Sequence, residues 1–242
     1  MKFDHCVFTD KGGRSVNEDS VAAVKRGEDM CFILCDGLGG HGMGDLASSL
    51  AVEHITEYFQ SCGSIEEFAS DVLPRAQAAM KQAQKQAAYT RAMRTTAVVL
   101  CVSGNKGICL HIGDSRLYRF RDGRVISRTR DHSIPQVLYM SGEIEEAEIR
   151  RHPDRNRLLH ALGEDSDELR YERTEFDVRE GDAFLLCSDG FWEPVTEPEM
   201  EALLAQNGKA SKWLGDMERL AVKNSAGVKM DNYSAIAVII KR

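Results

Sequence analysis

Short apolar runs rich in Val, Ile, Phe and Cys recur along this 242-residue chain, and turn-forming residues separate several of them. Runs of this length and composition are typical of β-strands. The sequences GNKG (104–107) and RDGR (121–124) indicate hairpin connections between neighbouring runs. The pattern predicts strands at 3–8, 20–25, 30–35, 95–103, 107–112, 116–120, 124–128, 171–178, 182–187 and 233–240.

Other segments carry apolar residues at helical spacing. Four apolar residues of the first, 45–59, are predicted to share one helical face: Leu46, Leu50, Ile55 and Phe59. The second, 65–89, contains Pro74, which indicates either a kink or a new helix start. Further helices are predicted at 143–151, 155–162, 197–206 and 210–224.

Clustered strands with paired helices predict an α+β fold, with mostly antiparallel sheets and helices packed outside them. No linker rich in Pro, Gly or Ser divides the sequence, and it has no internal repeat. We therefore expect residues 1–242 to form a single domain.

The charge and the cysteines narrow the functional class. A net charge of -7 argues against nucleic-acid binding, which needs a basic surface, and suits a protein that collects cations. The longest apolar runs, such as 235–240, are too short to cross a bilayer, and the N-terminus lacks the apolar stretch of a signal peptide. Most of the seven cysteines lie within apolar runs, which indicates buried thiols in a reducing cytoplasm.

The segment CFILCDGLGGHG (31–42) ends an apolar run on an acid and continues with glycines. Gly37, Gly39 and Gly42 match the G-x-G-x-x-G spacing of a dinucleotide-binding turn. That turn also needs a second parallel strand after the following helix, whereas here another helix comes next. The wider context therefore disfavours a nucleotide site.

Four aspartates lie at the ends of predicted strands: Asp36, Asp114, Asp189 and Asp231. In an antiparallel sheet the end of one strand lies beside the start of its neighbour, so these acids can converge. Converged carboxylates repel unless a cation offsets their charge, and oxygen-only ligands select Mg²⁺ or Mn²⁺ over zinc. Gly37 has no side chain, so its carbonyl can approach an ion. A single Asp-Gly more often only caps a turn, but four acids at strand ends favour a metal site.

The sequence resembles the metal-dependent serine/threonine protein phosphatases of the PP2C (PPM) family, in their compact bacterial form. The agreement covers nearly the whole chain and lies in the order and spacing of several segments. The matching segments are GGRSVNEDS (12–20), CDGLGGHGMGDLAS (35–48), RTTAVV (94–99), HIGDSRLYRFRDG (111–123), TRDHS (129–133), RHPDRNRLLHALG (151–163), LLCSDGFWEPV (185–195) and DNYSAIAV (231–238).

The resemblance implies a sandwich of two antiparallel sheets flanked by helix pairs, in four αββα layers, with a two-metal centre of Mn²⁺ or Mg²⁺ at one end. Asp36 would bridge both ions, and Gly37 would give its carbonyl to one of them. Asp189 and Asp231 would bind the other ion. Asp114 would join Asp189 at a weaker third site.

The resemblance also implies a reaction and partners. Arg14 would bind the substrate phosphate, and Glu18 and Asp19 would hold metal-bound waters. A hydroxide bridging the two ions would attack the phosphorus of phosphoserine or phosphothreonine, in line with the leaving oxygen. The implied partners are phosphoprotein substrates and a bacterial Ser/Thr kinase that the enzyme, expected to be a monomer, opposes.

Two departures from the family pattern leave questions open. Leu38 follows Gly37 where many eukaryotic members have a histidine assigned as general acid, so the general acid is unassigned here. A metal-bound water and His41 are the candidates, and the interpretation of His41 as only a loop histidine is favoured. Glu193 stands where the family often has aspartate, which would weaken or reshape the third metal site.

Three further features have competing interpretations. Asp131-His132-Ser133 is expected to stabilise a loop, because adjacent residues point in different directions and do not form a triad. Segment 134–163 corresponds to the family's flap, and its arginines either face solvent or contact acidic parts of a substrate. The alternative function is a non-catalytic binding module that keeps the fold.

Overall fold

The computed structural model describes residues 1–39, 43–86, 93–166 and 168–241. The strands of these residues are β1 (Lys2–Asp10), β2 (Asp19–Arg26), β3 (Asp29–Leu38), β4 (Arg94–Thr95), β5 (Ala97–Ser103), β6 (Lys106–Ile112), β7 (Arg116–Arg121), β8 (Arg124–Arg128), β9 (Glu172–Asp177), β10 (Ala183–Cys187) and β11 (Tyr233–Lys241). The helices are α1 (Gly44–Ser61), α2 (Ile65–Gln86), α3 (Ile134–Met140), α4 (Asp189–Trp192), α5 (Glu197–Gln206) and α6 (Ala210–Asn224), with a 3-10 helix at Glu146–Arg151.

The strands form two antiparallel sheets that pack face to face. One has the order β1-β11-β10-β7-β8, and the other has the order β2-β3-β5-β6-β9, with β4 added beside β3. Helices α1 and α2 cover the outer face of the second sheet, and α5 and α6 cover that of the first. The predicted four-layer sandwich is confirmed.

Strand β3 lies inside its sheet, between β2 and β5, and is buried on both faces. Phe32 and Leu34 point into the core between the sheets, whereas Cys31, Ile33 and Cys35 point into the core beneath α1 and α2. Double burial explains why this strand reads as a continuous apolar run and not as an alternating one. The burial of β3 also fixes the position of Asp36, which follows Cys35.

Helix α1 uses a different face from the predicted one. Leu46 is 52% exposed, and the prediction that it belongs to the buried face is wrong. The buried row runs at intervals of four through Ala47, Ala51, Ile55 and Phe59. The small alanines at its start let the helix approach the sheet closely, which the size of Leu46 would prevent.

Other boundaries also differ from the prediction. Helix α2 continues through Pro74, so no new helix starts there. The predicted strand 95–103 is interrupted at Thr96, which separates β4 from β5.

Segment 134–163 is less helical than predicted. The helix predicted at 143–151 is a short 3-10 helix that begins at Glu146, and no helix forms at 155–162. Leu158 and Leu162 form isolated bridges with Ser133 and Thr95 instead. The spacing of these two leucines is compatible with a helix, but each contacts a different part of the domain, and Leu162 is fully buried there.

The cysteines are free thiols, and six of them are buried. Among the described residues no helix is both long and apolar enough to cross a membrane.

Candidate metal centre

The four aspartates at strand ends line one cleft of about 400 Å³ at one end of the sandwich. Asp36 belongs to β3, and Asp114 lies in the turn between β6 and β7. Asp189 begins α4, two residues after the end of β10, and Asp231 lies two residues before β11. We call this site the aspartate cleft. Arg14, Glu18 and Gly37 line it as well.

The sheet register explains why these acids meet. Cys187 of β10 pairs with Ala235 of β11, so the chain leaving one strand lies beside the chain entering the other. Gly190 allows the close approach, because a Cβ atom there would lie 2.2 Å from the carbonyl oxygen of Asn232. The neighbouring acids Asp189 and Asp231 are thereby held at one edge.

Two threonines hold the backbone of Asp36 in place. Its carbonyl oxygen accepts hydrogen bonds from the Thr96 amide at 2.8 Å and the Thr95 hydroxyl at 2.9 Å. Its amide donates to Thr96 Oγ1 at 3.0 Å. The sequence predicted no role for these threonines of the RTTAVV segment, although two adjacent hydroxyl residues before a buried strand were an available signal.

Glycines after Asp36 are required by the close packing around Glu18. The Gly37 amide donates to the Glu18 carbonyl at 3.0 Å, and a Cβ atom on Gly37 would lie 2.1 Å from the Gly44 carbonyl oxygen. A Cβ atom on Gly39 would lie 1.8 Å from Glu18 Oε1. His41 lies outside the described residues, so the choice between a general acid and a loop histidine stays open.

The charges of the cleft repel one another. Burial, together with the nearby carboxylates of Asp19 and Asp189, raises the pKa of Asp36 well above its usual range. Burial and Asp189 likewise raise the pKa of Asp114. The pKa of Asp189 rises to about 6 through burial and the charge of Asp231. A cation in the cleft would offset this repulsion.

Asp19 lies behind the cleft as the direct partner of Asp36 across β2 and β3. It is 7% exposed, and its Oδ2 atom accepts a hydrogen bond from the Ser188 hydroxyl at 2.8 Å. Its Oδ1 atom is buried and accepts no hydrogen bond of standard geometry from the described residues, although the Ser234 hydroxyl lies near the carboxylate. Burial raises the pKa of Asp19 to about 7. A buried acceptor without a donor fits a site completed by a cation and its water.

Arg14 faces the same cleft from the loop after β1. Its Nη2 atom donates to Asp231 Oδ2 at 2.5 Å, and half of its side chain stays exposed. Asn232, which sequence analysis missed, anchors this loop by donating to the carbonyls of Lys11 and Val16. It also accepts from the Glu18 amide, so one amide side chain orders both flanks of the cleft.

Glu193 lies beside the centre in an adjoining cavity of about 160 Å³ that also touches Asp189. Arg155 Nε donates to its carboxylate at 2.8 Å. Burial and the charge of Asp189 raise the pKa of Glu193 to about 7. Arg94 and Asn156, to which sequence analysis gave no role, line the aspartate cleft itself.

The carboxylate of Asp131, in the sequence Asp131-His132-Ser133, pairs with an arginine and not with the adjacent histidine. Arg116 donates to both carboxylate oxygens of Asp131, at 2.8 and 2.7 Å. The sequence of three therefore does not form a catalytic triad.

Comparisons with known proteins point to one family. A family model described as Protein phosphatase 2C matches residues 12–225. The chain is 34% identical over 198 residues to the serine/threonine protein phosphatase PstP of Mycobacterium tuberculosis, an alignment covering 78% of this chain and 36% of PstP. It is 30% identical over 217 residues to the serine/threonine phosphatase stp of Listeria welshimeri, covering 86% of each.

A structural comparison agrees with the sequence matches. The crystal structure of the catalytic domain of PstP in complex with 2 manganese ions superposes with a TM-score of 0.85 at 26% identity, covering 99% of both chains. The chain spans about a third of full-length PstP but nearly all of that catalytic domain. With these matches and the arrangement of the cleft, the chain belongs to the protein phosphatase 2C family.

Proposed function

We propose that this protein is a Mn²⁺- or Mg²⁺-dependent serine/threonine phosphatase that releases phosphate from phosphoserine and phosphothreonine side chains of proteins. The observation that carries the proposal is the convergence of Asp36, Asp114, Asp189 and Asp231 in one cleft beside Arg14. The names of PstP and stp, and the manganese pair in the PstP catalytic domain, support it. Residues 1–242 then form a single catalytic domain.

The cleft suits hard divalent cations, because its side-chain donors are carboxylate oxygens. Asp36 and the Gly37 carbonyl would hold one ion, Asp36 would be shared with a second, and Asp189 and Asp231 would complete the second. Asp114 would hold a weaker third ion together with Asp189. When bound, the ion pair supplies a shared hydroxide near neutral pH, because it lowers the pKa of water.

The side chains of this protein bind and orient the substrate. Arg14 would bind two phosphate oxygens through its planar guanidinium group and stabilise the charge that develops during in-line attack. Its contact with Asp231 holds the guanidinium at the edge of the cleft. Glu18 and Asp19 would orient waters, and Asp19 Oδ1, which accepts no hydrogen bond of standard geometry from the described residues, could accept one from such a water.

The substrates would be phosphoproteins, and the physiological role would be to oppose a bacterial Ser/Thr kinase. Asn156 and Leu158 of segment 134–163 line the cleft, so this segment is placed to contact residues that flank a phosphorylated side chain. The alternative of a non-catalytic module is disfavoured, because Arg14 and all four aspartates are present in the cleft.

Phosphate release from a phosphothreonine peptide, with and without Mn²⁺, tests the proposal. We expect turnover with Mn²⁺, none after exhaustive chelation, and a loss of roughly two to three orders of magnitude in Asp36→Asn. Asp71→Asn, the same change on the exposed surface of α2, serves as the matched control and should retain activity. Turnover that persists without any divalent ion would contradict the proposal, and metal binding without turnover would favour the non-catalytic module.

A further inference from the structure

Two histidines and a glutamate meet on the far side of β6 from the helices, outside the aspartate cleft. His111 of β6 is the direct cross-strand partner of Glu172, the first residue of β9. His132 comes from the loop after β8, which belongs to the opposite sheet. One ligand atom from each of the three residues lies within 4.8 Å of the others. We call these three residues the histidine cluster.

His111 is buried in an unusual state. It is 1% exposed, and neither of its ring nitrogens forms a hydrogen bond of standard geometry with the residues that the structure describes, although the Ser115 backbone lies near the ring. Its ring centroid lies 4.8 Å from that of His132. Burying a polar group without a partner is costly, and native proteins usually supply one.

His132 turns one ring nitrogen toward the cluster. Its Nδ1 atom accepts a long hydrogen bond of 3.3 Å from the Gly113 amide. Its Nε2 atom lies 4.0 Å from Glu172 Oε1. The ring of His160 follows at 5.6 Å on the other side.

A cavity of about 250 Å³ connects the cluster with the surface. Its lining includes His111 and the half-exposed side chain of Glu172, whereas His132 lies outside the lining. Three arginines also line the cavity, and one of them, Arg128, is paired with Asp131 and Glu146. An ion and a water molecule therefore have both room and a route to the buried imidazole.

We propose that His111, His132 and Glu172 bind a Zn²⁺-class transition-metal ion, with water in the remaining position. Two imidazole nitrogens and one carboxylate oxygen form a ligand set that zinc favours over magnesium or manganese. This site is chemically distinct from the oxygen-only aspartate cleft, and it does not depend on the proposed phosphatase activity.

The protonation state of the cluster suits a metal. Burial and the neighbouring His132 lower the pKa of His111 to about 3. Burial and His160 lower the pKa of His132 to about 4. Both rings are therefore neutral at pH 7, which is the form that binds metal ions.

Coordination requires two small adjustments. Ligand atoms around zinc lie roughly 2 Å from the ion, so the three ligand atoms, now up to 4.8 Å apart, must come closer together. Glu172 can move, because it lies at the start of an edge strand. Binding through Nε2 of His132 moves its ring proton to Nδ1, and the long bond from Gly113 is given up. The ion would join β6 and β9 of one sheet to the loop that leaves the other.

Cobalt(II) absorption tests the site directly. Co²⁺ in a tetrahedral nitrogen-and-oxygen site absorbs strongly in the visible range, whereas an oxygen-only octahedral site absorbs weakly. We expect chelator-treated protein to develop one saturable band per chain, which Zn²⁺ abolishes. Asp189→Asn, which alters only the aspartate cleft, should keep the band.

Variants of β9 and of the loop locate the band. Glu172→Ala and His132→Ala should weaken Co²⁺ binding by at least roughly 10- to 100-fold. Glu175→Ala, on the same strand but paired with Lys106 and Arg173, is the matched control and should bind normally. Circular dichroism shows whether each variant folds. If His132→Ala does not fold, the result for Glu172→Ala alone tests the site. Absence of the band in the wild type, or a band unchanged by Glu172→Ala, would overturn the proposal.

Discussion

At the scale of single residues, the aspartate cleft concentrates like charges that the fold brings together against their repulsion. Asp36 and Asp19 are direct cross-strand partners, and Asp189 and Asp231 approach them from the other sheet. Such an arrangement destabilises the metal-free protein, because each carboxylate would be better solvated in the unfolded chain. A cation bound in the cleft would offset this loss of stability.

Asp189 allows this cost to be measured. Its pKa rises from 3.8 to about 6 in the folded protein, so the unfolded chain loses its proton first as the pH rises. The stability of the metal-free protein should therefore fall as the pH rises from about 4 through 6. Asp189→Asn removes this contribution, and in chelator it should be more stable than the wild type at pH 7.5 by roughly 1–3 kcal/mol.

Urea unfolding in chelator at pH 4.5 and pH 7.5 checks the prediction. The difference between Asp189→Asn and the wild type should shrink at pH 4.5 but not vanish, because there the wild-type carboxyl is protonated in the folded protein and still mostly ionised in the unfolded chain. With saturating Mn²⁺ at pH 7.5 the order should reverse, since only the wild type gains the full metal-binding free energy. An asparagine variant that is less stable than the wild type in chelator at pH 7.5 would refute this account of the charges.

At the scale of elements, a buried polar network ties segment 134–163 to the first sheet. Arg116 of β7 stacks on Trp192 at 3.4 Å and contacts the Tyr118 hydroxyl at 2.8 Å. Tyr118 in turn donates to Glu197 at the start of α5, which also pairs with Arg150. Arg150 thus belongs to a largely buried network, whereas the flap interpretation considered only solvent or substrate contacts for it.

Asp131 anchors this network, and its loss should be costly. The Arg116 and Asp131 side chains are both nearly inaccessible to solvent, so Asp131→Ala leaves a buried arginine without its bidentate partner. We expect a loss of about 3–5 kcal/mol in the free energy of unfolding. Asp165→Ala removes the partner of Lys81 on the surface and should leave stability unchanged. Equal effects of the two substitutions in urea unfolding would contradict the anchoring role of Asp131.

Element prediction succeeded where burial dictates the sequence and failed where tertiary contacts do. The interior strand β3 is apolar on both faces, so its existence could be predicted from residues 30–35, but the strand continues past the predicted end to Leu38. The helix predicted at 155–162 was wrong, because Leu158 and Leu162 use their spacing to bridge distant backbone. A local pattern cannot distinguish a helical face from two separate docking points.

At the scale of the whole molecule, the family and the sandwich could be predicted from the order of motifs along the chain, and both are confirmed. The individual contacts could not, because they join remote positions. Arg14 binds Asp231 across 217 residues, and Ser188 binds Asp19 across 169. The histidine cluster had no sequence signal, since its members share neither a motif nor a regular spacing.

The central claim is that acids from both sheets hold a pair of divalent ions, and calorimetric titration of chelator-treated protein with Mn²⁺ tests it most directly. We predict two tightly bound ions per chain for the wild type, besides any weaker third ion at Asp114, and loss of at least one tight ion in Asp36→Asn and in Asp189→Asn. Absence of Mn²⁺ binding, or binding that both substitutions leave unchanged, would contradict the claim.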